Sequence, residues 1–200
     1  MRDLVLLVPD KNAEFTVRGA LGRHQSLGIR PIDFDVIVDP GRDGGVRRRG
    51  AQILAVERNQ FRHAALILDY EGSGATVSAV ELEANLDAAL SDRWGSGAKA
   101  IVIEPELDVW MWGAETHVRE VVGWYHPPGI RDWLRSQHFE FDAQGKPLRP
   151  KEALEAVCRQ AQVPRSSAQY QDLARRISLS RCRDTAFLRL RDALTTWFPA

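Results

Sequence analysis

Two cysteines in 200 residues, Cys158 and Cys182, are too few for a disulfide framework, and no CxxC pair exists to build a structural zinc site. Their scarcity predicts a reducing compartment, the cytoplasm. No apolar run is long enough to span a bilayer, so no membrane association is expected. The first apolar stretch, Leu4 to Val8, stops at Pro9-Asp10; it is too short for a signal peptide and has no cleavage site. Gly41, Gly44 and Gly45 form neither a Walker loop nor a GxGxxG, and no serine elbow is present to support acyl transfer. His24, His63, His117, His126 and His138 lack ligand spacing, and there is no internal repeat.

What remains is a globular composition, 44% hydrophobic and 27% charged, which suits one substantial core. The formal net charge of zero conceals an asymmetry: residues 146–200 carry +6 and residues 1–145 carry −6. An acidic body with a basic tail fits a cation site beside a polyanion-binding surface, and it equally fits well-solvated arginine-rich helices.

Apolar runs at 4–8, 32–38, 64–68 and 100–103 read as strands, and the segments between them read as helices. The first helix follows Asp10 with Phe15, Val17, Ala20 and Leu21 as apolar contacts. A second runs from the Arg47-Arg48-Arg49 region to about Phe61, and Ser78 opens a third with Leu82, Leu86 and Leu90 on one face. This alternation predicts an α/β fold, a mainly parallel sheet of about four strands flanked by helices. Residues 1–136 are expected to form the α/β domain, 137–149 a linker or short hairpin around Gly145, and 150–200 a basic helical C-terminal extension. Three helices are expected there: one starting at Pro150, one capped at Ser166 and one carrying Phe187, Leu190, Leu194 and Trp197.

Three of the strands end in carboxylates: Asp10 with Glu14, Asp69 with Glu71, and Glu104, Glu106 and Asp108. In a parallel sheet these ends share one edge, where ligands of open α/β sheets bind. Closely spaced carboxylates repel one another, and a hard divalent cation is the usual physical reason to gather them. Each also has a structural alternative, as a helix cap or a first-turn acid. Trp110, Trp112, Trp124 and Trp133 are expected in a core or an interface rather than as base-stacking platforms. Arg47, Arg48 and Arg49 are candidates for phosphate contact or for a solvated helix start.

The stretches Asp10-Lys11-Asn12-Ala13-Glu14 and Asp69-Tyr70-Glu71-Gly72 resemble the two acidic motifs of Toprim domains, the α/β modules of topoisomerases, primases and OLD-type nucleases. Asp10 stands where that family has a glutamate, Glu14 at the acidic position four residues on, and Asp69 with Glu71 at the Asp-x-Asp pair. Glu106-Leu107-Asp108-Val109-Trp110 resembles a segment of small Toprim-like proteins from defence operons. Over nearly its whole length, including Pro150 to Leu154 and Trp197-Phe198-Pro199, the chain is similar to a component of the methylation-associated phage-defence system of bacteria. The resemblance implies an antiviral protein restricting foreign DNA alongside other defence subunits. It further implies catalytic Asp10, Glu14, Asp69 and Glu71 and a Mg2+ or Mn2+ ion on Asp10, Asp69, Glu71 and Asp108 in a metal-dependent nuclease. Arg47, Arg48 and Arg49 would touch nucleic acid. The alternatives are a Toprim-like adaptor that binds partner proteins or nucleic acid without catalysis, and a phosphatase using the same carboxylates.

Overall fold

The computed structural model describes residues 1–179 and 182–200. Four strands, β1 (Arg2–Val8), β2 (Phe34–Val38), β3 (Phe61–Asp69) and β4 (Ala98–Ile103), form one all-parallel sheet in the order β2-β1-β3-β4. The inner strands β1 and β3 are apolar on both faces, because helices cover both sides of a parallel sheet. Leu4, Leu6, Val8, Ala65, Ile67 and Ile101 face one core, and Val5, Leu7, Leu66, Leu68, Ala100 and Val102 face the other. β2 sits at an edge and is only half-buried, which accounts for its two acids, Asp33 just before it and Asp35 within it.

The second core is closed by α3 (Arg42–Glu57) and α4 (Ala79–Trp94) through Val46, Leu54, Leu82, Leu86, Leu90 and Trp94. The sequence pattern carries α3 on to Phe61; instead Phe61 opens β3, and its ring is buried in this core.

The first core takes α1 (Lys11–Leu21) and most of the chain after β4. After the four-residue α2 (His24–Leu27) and, beyond β4, the short α5 (Asp108–Met111), come α6 (Glu115–Val122), α7 (Ile130–Ser136), α8 (Pro150–Gln160), α9 (Ser167–Arg176) and α10 (Thr185–Trp197). The C-terminal helices start where the sequence places them: Pro150 opens α8, and Ser166 with Gln169 forms a complete capping box at α9. Residues 137–149 do contain a short hairpin, bridged at Phe141 and Pro147. Residues 150–200 supply the helical C-terminal extension, and it packs into the first core. Leu154, Val157, Tyr170, Leu173, Phe187 and Leu194 lie in the same core cluster as Leu4 and Ile67. The closest helix contact, α1 against α9, depends on Gly19: a Cβ there would lie 2.8 Å from the Gln171 carbonyl and 2.9 Å from the Ala174 Cβ. Trp110, Trp112 and Trp124 are buried in this core, as expected. Among the described residues no helix is long and apolar enough to cross a membrane.

Candidate functional site

The sheet order reverses direction at β1 and β3. From β1 the chain passes through α1 to β2 on one side, and β3 leads through α4 to β4 on the other. The crevice outside the carboxyl ends of two such strands is the standard ligand position of open α/β sheets. Asp10 follows β1 and Asp69 ends β3, so the two acids flank that crevice.

Each acid already has a partner. Asp10 is the N-cap of α1, its Oδ1 accepting from the Ala13 N–H at 2.9 Å. Asp69 Oδ1 accepts from the Leu107 N–H at 2.8 Å, tying the end of β3 to the turn after β4. The Asp69 N–H in turn donates to Asp43 Oδ1 at 2.8 Å. Asp43, in the first turn of α3, was not anticipated from the sequence. It comes this close because residue 72 is glycine, where a Cβ would lie 2.5 Å from Asp43 Oδ2.

Burial pushes the Asp69 carboxyl well above the ordinary range; the charges of Asp43, Asp108 and Glu106 add to this, and the Leu107 N–H opposes it. Asp43 is raised by burial, with Asp10 adding its repulsion. Glu106, only 6% exposed, is raised to about 7 by burial and then by Asp108 and Glu71, against the pull of Lys151. The charges of Asp43, Glu106 and Asp108 thus act on Asp69, that of Asp10 on Asp43, and that of Glu71 on Glu106.

Glu106 and Asp108 are bonded to the C-terminal part of the chain. Glu106 Oε1 accepts from the Lys151 N–H at 3.2 Å, at the start of α8. Asp108 Oδ1 accepts from the Tyr170 hydroxyl at 2.6 Å and lies 3.3 Å from Arg165 Nη2. Arg165 Nε donates to the same hydroxyl at 2.7 Å, and its Nη1 reaches Glu155 at 2.8 Å. Burial raises the Asp108 carboxyl, while Tyr170, Arg165 and Lys151 draw it back. Lys151, Arg165 and Tyr170 were not singled out in the sequence either.

Glu14 is spent within α1, accepting from Lys11 Nζ at 2.8 Å and Arg18 Nε at 2.9 Å. Its burial opposes ionisation, but these two cations outweigh it and hold the carboxyl below the usual range. Of the three candidate arginines, Arg47 Nε donates to the Ser73 carbonyl at 2.8 Å and Arg49 Nη2 to Asp39 Oδ1 at 2.5 Å, while Arg48 is exposed and makes no such bond among the described residues.

The donor chemistry, hard carboxylate oxygens at a switch point, suits Mg2+ or Mn2+. The arrangement does not: among the described residues no group of three or more Asp, Glu, His or Cys is placed to hold a metal ion. Asp10, Asp69, Glu71 and Asp108 share an edge without forming one ligand set.

Fold and site together define a parallel α/β protein whose acidic carboxyl edge is fastened to its C-terminal helices. Comparison with known proteins adds no relative: no family model, no curated protein and no solved structure matches this chain.

Proposed function

We propose that this chain is a Toprim-like component of a bacterial anti-phage system, acting as an adaptor that holds foreign DNA for partner defence subunits without cutting it. One observation carries the reading: Asp108, one of the four acids expected to hold the ion, is instead bound by Tyr170 and Arg165, and its neighbour Glu106 accepts from the Lys151 N–H at the start of α8. The apolar faces of those helices are spent in the core, and outward they present Lys151, Arg159, Arg175 and Arg176 among the acids Glu152 and Asp172. Arg159, Arg175 and Arg176 lie in surface ion pairs with Glu155, Asp172 and Glu120, and exchange of such weak pairs for phosphates would let them hold a nucleic-acid backbone by charge rather than by sequence.

A second reading, the Mg2+-dependent nuclease, is favoured by the raised proton affinities of Asp43 and Asp69 beside Asp10 at the switch point. A divalent cation would relieve that repulsion, provided the carboxylates draw together around it.

One assay separates the two: fluorescence anisotropy and gel analysis of a labelled duplex, with Mg2+ or EDTA, using wild type, Asp69→Asn and Arg175→Glu/Arg176→Glu. The adaptor predicts salt-sensitive binding that needs no Mg2+, survives Asp69→Asn, weakens with the double reversal and leaves the duplex intact. Mg2+-dependent cleavage abolished by Asp69→Asn would establish the nuclease instead, and absence of binding would remove DNA as the partner.

A further inference from the structure

Of Trp110, Trp112, Trp124 and Trp133, the first three are buried and Trp133 stays half-buried. It lines a groove of about 370 Å3 together with Gln137, Phe139, Ala156, Arg159 and Gln160. Trp133 lies on α7, Gln137 and Phe139 follow that helix, and the other three belong to the end of α8. The groove is thus remote in sequence from the strand-end acids, none of which lines it. Its volume is towards the lower end of ligand sites, roughly 300–1,000 Å3.

Both rings are held by a neighbour. Trp133 packs on Trp124 with ring centroids 5.1 Å apart, and the Arg149 guanidinium lies over the Phe139 ring at 5.4 Å. Rings fixed in this way lose little freedom when a further ring stacks on them. The polar part of the lining is one cation and two amides, with no carboxylate. Glu155, one turn before Arg159, is bonded to Arg165 Nη1 at 2.8 Å and lies 4.0 Å from Arg159, so its hold on that guanidinium is loose. Asp132 is taken by Arg135 at 2.9 Å, and Glu140, next to Phe139 in the chain, is exposed and does not line the groove. Gln137 Nε2 donates only to Ser136 Oγ, at 3.3 Å, and the Gln160 amide makes no side-chain hydrogen bond among the described residues.

Two fixed rings, two amides with unspent capacity and a loosely held guanidinium match the parts of an unpaired nucleotide. Any base stacks on an aromatic face, amides reach base edges, and arginine takes phosphate. A base inside a duplex is stacked between its neighbours and cannot enter. We propose that this groove binds an unpaired base of single-stranded DNA, with Trp133 and Phe139 stacking on it, Gln137 and Gln160 at its edge and Arg159 at the adjoining phosphate. The inference rests on the DNA-holding reading above and adds to it the state of the strand.

Anisotropy titrations of the full chain with labelled dT10 and with a labelled ten-base-pair duplex test this, with rU10 as a third ligand and tryptophan emission recorded throughout. Tighter binding of dT10 than of the duplex is expected, with quenching of emission that is lost in Trp133→Phe, a variant that keeps a ring in place. Phe139→Leu should weaken dT10 about tenfold and leave the duplex unchanged. Gln137→Ala/Gln160→Ala should weaken dT10 about threefold; both positions are exposed and uncharged, so this variant tests the groove without endangering the fold. If Arg175→Glu/Arg176→Glu weakens the duplex while the three groove variants leave dT10 affinity and quenching unchanged, the groove assignment falls and the DNA-holding reading stands. Binding of dT10 no tighter than of the duplex would likewise overturn the assignment, and rU10 bound more tightly than dT10 would transfer the site to RNA. Absence of binding to every ligand would remove both readings.

Discussion

Glu106→Gln should make the protein more stable in mild alkali and leave it little changed in mild acid. The folded-state carboxyl ionises near 7, against 4.5 for a free glutamate, because burial and the Asp108 and Glu71 charges disfavour its anion. A group whose pKa is raised on folding contributes stability that is fully present below the unfolded value and is lost as pH rises through the folded one. For Glu106 the window runs from about 4.5 to 7. A shift of that size corresponds to at most about 3.5 kcal/mol, since each unit is about 1.4 kcal/mol. Glutamine keeps an oxygen for the Lys151 N–H and carries no charge to repel Asp108. At pH 8 the variant should therefore melt above wild type by up to roughly 7–14 °C, taking about 2–4 °C per kcal/mol for a chain of this length. At pH 4.5 the two curves should nearly coincide. Thermal melts across this range read the difference directly, which removes the contributions of Asp43, Asp69 and Asp108 common to both proteins. A variant that is less stable than wild type at pH 8 would refute the reasoning, showing that the ionised Glu106–Lys151 contact, 3.8 Å between charges, outweighs the burial of the carboxylate.

Tyr170→Phe keeps the ring and removes the hydroxyl that Asp108 and Arg165 share, so a buried carboxylate loses its shortest bond. The expected loss is about 1.5–3 kcal/mol in denaturant unfolding, the range for hydrogen bonds to charged groups. Gly19→Ala would press a methyl group against the Gln171 carbonyl and Ala174. It should destabilise by about 1–3 kcal/mol through overpacking, offset by up to about 1 kcal/mol of better helix propensity, and a rise in melting temperature would show that α1 and α9 separate without cost.

The strands were legible because both faces of a parallel sheet are apolar, which turns β1 and β3 into continuous runs such as Leu4 to Val8 and Ala64 to Leu68. Asp10 and Asp69 were legible for a related reason: an acid directly after such a run has to emerge at the sheet edge. Asp43 was not, since it lies in a helix start rather than at a strand end, and only the fold carries it onto Asp69. The one available hint was an acid ahead of two glycines at the head of α3. Phe61 was drawn into α3 because no glycine or proline separates it from that helix. The C-terminal helices were recognised individually, but their apolar stripes do not state which surface they cover. Charge marked them as a basic extension, and burial of Tyr170, Phe187 and Leu194 shows that this extension also completes the main core.

That completion has a consequence for the order in which the chain can fold during synthesis. The layer formed by α3 and α4 can close over β1, β3 and β4 as soon as residue 103 has left the ribosome. The opposite layer has to wait, because Leu4, Leu6 and Ile67 are covered by residues as late as Phe198, and Pro199 bridges back to Ile29. While residues 104 to 198 are being made, the nascent protein carries one finished face and one bare apolar face. A stop codon between residues 150 and 185 would leave it in that state permanently, without α10, a target for chaperones and proteases rather than a shortened working protein.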